Sequence, residues 1–217
     1  MIIAPSLLSA NFLNLEKDIQ MLNESEAEWL HLDVIDGQFA PNITFGIPVI
    51  EAIRKSTTKF LDAHLMINHP EHMIDAFAKA GVDSITVHYE ACTHLHRVIQ
   101  QIKSYGIKAA VALNPHTSTE SIQTIISDLD MVLLMSVNPG FSGQKFIEHT
   151  YIKLNNLNML KNRLANFLDF KIQIDGGVSL ENFEKLKSWG ADVLVAGNAV
   201  FKSDNPIETI KKLKNGI

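Results

Sequence analysis

Two apolar runs end in side chains capable of chemistry: Trp29-Leu30-His31-Leu32-Asp33-Val34 and Phe60-Leu61-Asp62-Ala63-His64-Leu65-Met66. Residues two apart in a strand share a face, so His31 projects with Asp33 and His64 with Met66. A further acid, Asp175, ends Lys171-Ile172-Gln173-Ile174 and leads straight into Gly176-Gly177. Two imidazoles and two carboxylates at the same ends of neighbouring strands form a four-ligand set, His31, Asp33, His64 and Asp175, for one divalent cation. An Asp inside an apolar strand is costly to bury alone, and a cation supplies its partner. The two carboxylates can also move protons.

A second group of residues suits an anion. The loop Asn138-Pro139-Gly140-Phe141-Ser142-Gly143-Gln144 follows the apolar run Met131 to Ser136, Gly176-Gly177 follows Asp175, and Gly197-Asn198 follows Ala196. Glycines let backbone N–H groups approach a phosphate closely, and late barrel loops commonly do this. Ser6 lies at the end of the first apolar run and is a candidate hydroxyl contact to substrate. His88 closes Ile85-Thr86-Val87 and reads equally as a ligand, a donor behind one, or a packed histidine. Met66 and Met135 read as packing. His69, His72, His94, His96, His116 and His149 fall in helical or loop patterns and read as surface residues. Lys59, Lys108 and Lys171 start strands, and no lysine ends one, which argues against a Schiff-base aldolase.

These residues need a scaffold that brings strand ends together. Apolar, often β-branched runs begin near Ile2, Glu28, Lys59, Asp83, Ile107, Asp130, Phe170 and Asp192, and a helix-like segment follows each. Eight such repeats predict an α/β fold, a (β/α)8 TIM barrel occupying residues 1–217 as one domain. An open doubly wound sheet would gather its site at one switch point, whereas the polar strand ends here are spread around a ring. Leu15, Ile19 and Leu22 share a helix face. Pro70 suits a first helical turn, with Met73, Ile74 and Phe77 as its apolar stripe and Gly81 as its stop. Thr117 and Glu120 read as a capping box before Ile122, Ile125 and Ile126, and Ser179 as the cap of a helix that Gly190 ends.

The 217 residues carry 46% hydrophobic and 20% charged side chains, a globular composition. The net charge of -5 argues against a nucleic-acid partner. No apolar run reaches membrane-spanning length, and no basic leader with an apolar core opens the chain. The single cysteine, Cys92, excludes an intramolecular disulfide and fits a reducing, cytoplasmic setting.

Along essentially its whole length the chain resembles the ribulose-phosphate 3-epimerase family. The resemblance is carried by Ile3-Ala4-Pro5-Ser6-Leu7-Leu8-Ser9-Ala10, His31-Leu32-Asp33-Val34-Ile35-Asp36-Gly37, Pro41-Asn42, Asp62-Ala63-His64-Leu65-Met66, Ser136 to Phe146 and Asp175-Gly176-Gly177-Val178. It implies one divalent metal ion, zinc, iron, manganese or cobalt, held by His31, Asp33, His64 and Asp175, with Asp33 and Asp175 as the acid–base pair. It implies substrate contacts at Ser6, His64, Gly140, Phe141, Ser142, Gly143, Gly176, Gly177, Gly197 and Asn198, a ketose phosphate as substrate, and a homo-oligomer. Three positions depart from the family's usual residues: Ile35 for Met, Gln173 for Glu and Asn198 for Ser. Gln173 is expected to alter the proton affinity of Asp175, and Ile35 the apolar cap over the reacting carbon.

The implied reaction interconverts D-ribulose 5-phosphate and D-xylulose 5-phosphate by proton transfer at C3 through a metal-stabilised enediolate, one carboxylate on each face. Segments 38–44 and 141–144 are the candidate lid. Three rivals remain. An epimerase of six-carbon ketose phosphates would use the same groups. A decarboxylase of the orotidine-phosphate kind would carry Asp-x-Lys-x-x-Asp where this chain has Asp62-Ala63-His64-Leu65-Met66-Ile67. A sugar-phosphate sensor would be expected to have lost a ligand or an acid.

Overall fold

The computed structural model describes residues 1–163 and 169–216. Eight parallel strands form the sheet: β1 (Ile2–Pro5), β2 (Trp29–Ile35), β3 (Phe60–Met66), β4 (Ser84–His88), β5 (Lys108–Leu113), β6 (Met131–Met135), β7 (Lys171–Asp175) and β8 (Val193–Ala196). Each begins within a residue of its predicted start. Neighbours in sequence are neighbours in space, and β1 also pairs with β8. A parallel bridge between Ser6 and His31 closes the ring between β1 and β2.

The helices α1 (Leu15–Glu24), α2 (Ile47–Ser56), α3 (Ile74–Lys79), α4 (Leu95–Ser104), α5 (Thr150–Arg163), α6 (Phe183–Ser188), α7 (Asn198–Phe201) and α8 (Pro206–Asn215) lie between and after the strands. The strand–helix period is broken after β5, where a 3-10 helix spans Thr119–Asp128. Outward strand residues such as Leu30, Leu61, Ile85 and Ile172 pack with Ile50, Phe77, Leu154 and Phe183 from the helices. Each such side chain contributes about 1.5–3 kcal/mol on leaving water.

Three helix starts differ from the sequence reading. Pro70–His72 is a 3-10 turn, the α-helix begins at Ile74, and Met73 is half exposed, outside the apolar stripe. Ser118, not Thr117, caps the helix after β5 by accepting from the Glu120 N–H, because the Thr117 hydroxyl is committed to Glu90. Ser179 accepts from the Glu181 N–H in the turn ahead of α6, and Asn182 stands at the helix start with its Oδ1 on the Ser179 N–H.

Inside the barrel the side chains lie in layers. Ala4, Ala110, Met131, Val193 and Val195 form an apolar plug, with Ile2 and Trp29 against it. His31, Asp62 and Ser84 stand side by side in register on β2, β3 and β4, one layer nearer the C-terminal ends, and Gln173 reaches Asp62 from β7. Asp33 pairs in register with His64, and Asp175 with Met135.

Candidate active site

The structure brings His31, Asp33, His64 and Asp175 together at the C-terminal ends of β2, β3 and β7. His31 Nε2 lies 3.2 Å from Asp33 Oδ1 and 3.7 Å from Asp175 Oδ2. His64 Nδ1 lies 3.1 Å from Asp33 Oδ1, 3.4 Å from Asp175 Oδ2 and 3.3 Å from His31 Nε2. Four ligand atoms set tetrahedrally about 2.0–2.2 Å from a cation stand roughly 3.3–3.6 Å apart. These five separations, 3.1–3.7 Å, lie close to that edge length, so the four residues could hold a divalent metal ion.

The electrostatics agree. Burial opposes charge on both histidines, yet Asp33 and Asp175 raise His31 well above the usual imidazole value and raise His64 as well. Burial likewise opposes ionisation of Asp33 and Asp175, yet His31 and His64 hold both carboxyls below the usual carboxylate range. Two carboxylates this close at the floor of a barrel demand positive charge, which protons or a cation can supply. Only Asp175 keeps appreciable exposure, 13% of its side chain, and it lines the cleft above.

That cleft offers about 580 Å³ of empty space, counted out to its open mouth. Its walls carry Ser6, Asp33, Gly140, Phe141, Ser142, Gly143, Gly176, Gly177, Gly197 and Asn198. His31 and His64 lie beneath, fully buried. Gly176 adopts φ +114°, and a Cβ there would stand 2.3 Å from Val137 Cγ2, so only glycine fits. Asn198 opens α7 with Gly197 as its cap, and its Oδ1 is buried without a partner. The Ser9 hydroxyl, which the sequence reading passed over, also lines the cleft and is equally unpartnered. Ile35 packs with Met66 and Ala40, with Leu8 and Phe39 against them, forming an apolar shelf. Across the mouth, Asn42 Nδ2 donates to Gly140 O at 2.8 Å, which ties segment 38–44 to the residue just before segment 141–144.

Several residues take unexpected places. The Ser6 hydroxyl donates to Asp33 Oδ2. Gln173 does not act on Asp175 directly: its Nε2 donates to Asp62 Oδ2 at 2.8 Å. Asp62, fully buried, also lies 2.8 Å from His31 Nδ1. The period-two spacing of Asp62 and His64 was the signal that could have found it. His88 is neither a ligand nor mere packing: its Nε2 lies 2.9 Å from His64 Nε2 and its Nδ1 3.2 Å from Glu90 Oε2. Burial pushes His88 down to about 4, so it is neutral near pH 7. The other six histidines are exposed. Counting lysines at strand ends missed Lys153, which enters from α5, is buried, and donates to Asn114 O just beyond β5; burial lowers its pKa to about 8. It lines a separate cleft with His116 and His149.

A barrel of eight parallel strands with a buried two-His, two-Asp centre under a glycine-lined cleft defines a TIM-barrel enzyme. The chain belongs to the ribulose-phosphate 3-epimerase family, whose sequence profile matches residues 2–201. It is 46% identical to the ribulose-phosphate 3-epimerase of Bacillus subtilis (strain 168) over 212 residues, covering 98% of this chain and 97% of that protein. It is 45% identical to the chloroplastic ribulose-5-phosphate-3-epimerase of Arabidopsis thaliana over 215 residues, covering 98% and 76%. Among solved structures, KGPDC from Streptococcus mutans in complex with D-R5P superposes with a TM-score of 0.74 at 14% identity, covering 99% of this chain and 95% of that one. A 3-hexulose-6-phosphate synthase superposes at 0.68 with 19% identity over the full length of both chains. At such identities these two share the fold. Among the described residues no helix is long and apolar enough to cross a membrane.

Proposed function

We propose that this protein is a metal-dependent ribulose-phosphate 3-epimerase, interconverting D-ribulose 5-phosphate and D-xylulose 5-phosphate, and that residues 1–217 work as one catalytic domain in the cytoplasm as a homo-oligomer. The observation that carries the reading is the convergence of Asp33 and Asp175, from β2 and β7, on two histidines at the floor of a glycine-lined cleft. Membership of the epimerase family supports the substrate.

His31, Asp33, His64 and Asp175 would hold the cation, and zinc, iron, manganese or cobalt all accept this donor set. When bound, the cation supplies Lewis-acid stabilisation of the negative charge that develops on the substrate's oxygens. Inversion at C3 requires a base on one face and an acid on the other. Asp33 and Asp175 are separated around the ring by β1 and β8, so they flank a substrate lying across the floor. One takes the C3 proton while the other delivers a proton to the opposite face, and the roles exchange with direction. Ser6 steadies Asp33 for that work. The glycine backbone at 140, 143, 176, 177 and 197, with Phe141, Ser142 and Asn198, lines the phosphate end. The apolar shelf of Ile35 and Met66 and the meeting of Asn42 with Gly140 exclude water from the reacting carbon.

The test is NMR of D-ribulose 5-phosphate with metal-loaded protein in heavy water. Xylulose 5-phosphate carrying deuterium at C3 is expected. Absence of both product and exchange, with metal bound, rejects the substrate assignment.

A further inference from the structure

The two histidines of the centre must present lone pairs, not N–H groups, to a cation, and each imidazole has two nitrogens that can exchange these roles. The structure holds a separate chain of partners behind each. We propose that Asp62 and the His88–Glu90 pair are positioning residues that fix the ring tautomers of His31 and His64, each from outside the ligand set. The inference rests on the metal centre proposed above.

Behind His31, the Asp62 carboxylate is met by donors. Gln173 Nε2 donates to Oδ2 at 2.8 Å, and the Ser84 hydroxyl donates to Oδ1 at 2.5 Å. His31 Nδ1 stands 2.8 Å from the same Oδ2. A carboxylate only accepts, so the proton in that bond belongs to His31 Nδ1. With a cation in place of the second proton the imidazole would be neutral, its one N–H on Nδ1, and the Nε2 lone pair would face the cation between Asp33 and Asp175. Gln173 matters here as a neutral donor: a second carboxyl in its place would compete with Asp62 for a proton.

Behind His64 the path is longer. Glu90 Oε1 accepts from the Asn114 N–H at 2.9 Å and from the Thr117 hydroxyl. Its Oε2 faces His88 Nδ1 at 3.2 Å, so His88 donates there. His88 Nε2 is then an acceptor, and it lies 2.9 Å from His64 Nε2. His64 must therefore donate from Nε2, and in the cation-loaded centre its Nδ1, 3.1 Å from Asp33 Oδ1 and 3.4 Å from Asp175 Oδ2, would carry the lone pair. The two histidines bind through different nitrogens because their partners lie on different sides of the ring.

Outer partners of metal-bound histidines commonly change metal affinity about 10–100-fold when removed. The experiment measures zinc(II) affinity by competition with a chromophoric chelator, without substrate, for wild type, Asp62→Asn and Glu90→Gln. It also records ring 1H–15N spectra of the zinc-loaded wild type. We expect each variant to stay folded and bind zinc roughly 10–100-fold more weakly. We expect the wild type to retain an Nδ1 proton on His31 and an Nε2 proton on His64. A folded variant binding within twofold of wild type overturns the role of its residue, since a purely structural role lowers melting temperature without moving zinc affinity. The reverse proton pattern in the wild type overturns the proposal even if neither variant folds. A wild type that binds no zinc with these histidines rejects the metal centre itself, a different outcome from either.

Discussion

Ser6 and His31 share the backbone bridge that closes the barrel, and the Ser6 side chain reaches past that bridge to donate to Asp33 Oδ2. The same junction thus completes the sheet and restrains a carboxylate of the proposed acid–base pair, whose other oxygen faces both histidines. Because the bridge is made by main chain, Ser6→Ala should leave the barrel closed. A hydrogen bond to a charged group contributes about 1.5–3 kcal/mol, so kcat/KM should fall roughly 10–100-fold. Steady-state kinetics beside near-UV circular dichroism decide this, and unchanged kcat/KM in folded Ser6→Ala would remove Ser6 from the site.

Asp33→Asn and Asp175→Asn each remove a proposed proton carrier while keeping shape. General acid–base groups contribute about 10²–10⁴-fold, and each substitution also weakens the metal set, so each should lower turnover at least roughly 10³-fold. Turnover should be followed together with C3 deuterium exchange. If one variant exchanges C3 hydrogen without inverting it, that aspartate serves the second face; retained inversion would exclude it from the pair.

Metal binding should be strongly pH-dependent, and the sign follows from the raised histidines. Without a cation, His31 stays protonated well above the usual imidazole range because Asp33 and Asp175 outweigh its burial. A cation must displace that proton, so affinity rises with pH through and above the ordinary histidine range, and falls below it. Calorimetric titration of zinc in buffers of different ionisation enthalpy should show proton release on binding near pH 7. Binding without proton release would contradict the charge balance described for the site.

Asn198 tests the phosphate end. Its buried, unpartnered Oδ1 lies at the cleft, and a half-turn of the amide presents Nδ2 instead. Asn198→Asp fixes a negative charge there. Charges about 4 Å apart near a protein surface interact by several kcal/mol, so KM for ribulose 5-phosphate should rise roughly tenfold or more, with a smaller change in kcat. Asn198→Ser should stay close to wild type. An unaltered KM in Asn198→Asp places the phosphate elsewhere.

Much of this molecule is written in local pattern. Alternation along Trp29–Ile35 and Phe60–Met66 places His31 with Asp33 and His64 with Met66 on one face, and eight apolar runs mark the strands to within a residue. Those facts depend on a period of two and on turn residues, which a short window of sequence contains. What surrounds the four candidate ligands is not local. Gln173 meets Asp62 across 111 residues, and His64 meets His88 across 24. Lys153 reaches a strand end from a helix, and Thr117 leaves its expected capping role because Glu90 arrives beside it. The sequence alone thus determined the strands, the inward faces and the types of group available for chemistry. Only the tertiary structure decided which buried polar groups satisfy one another, because hydrogen-bond partners inside a barrel are chosen when the ring closes and water is gone.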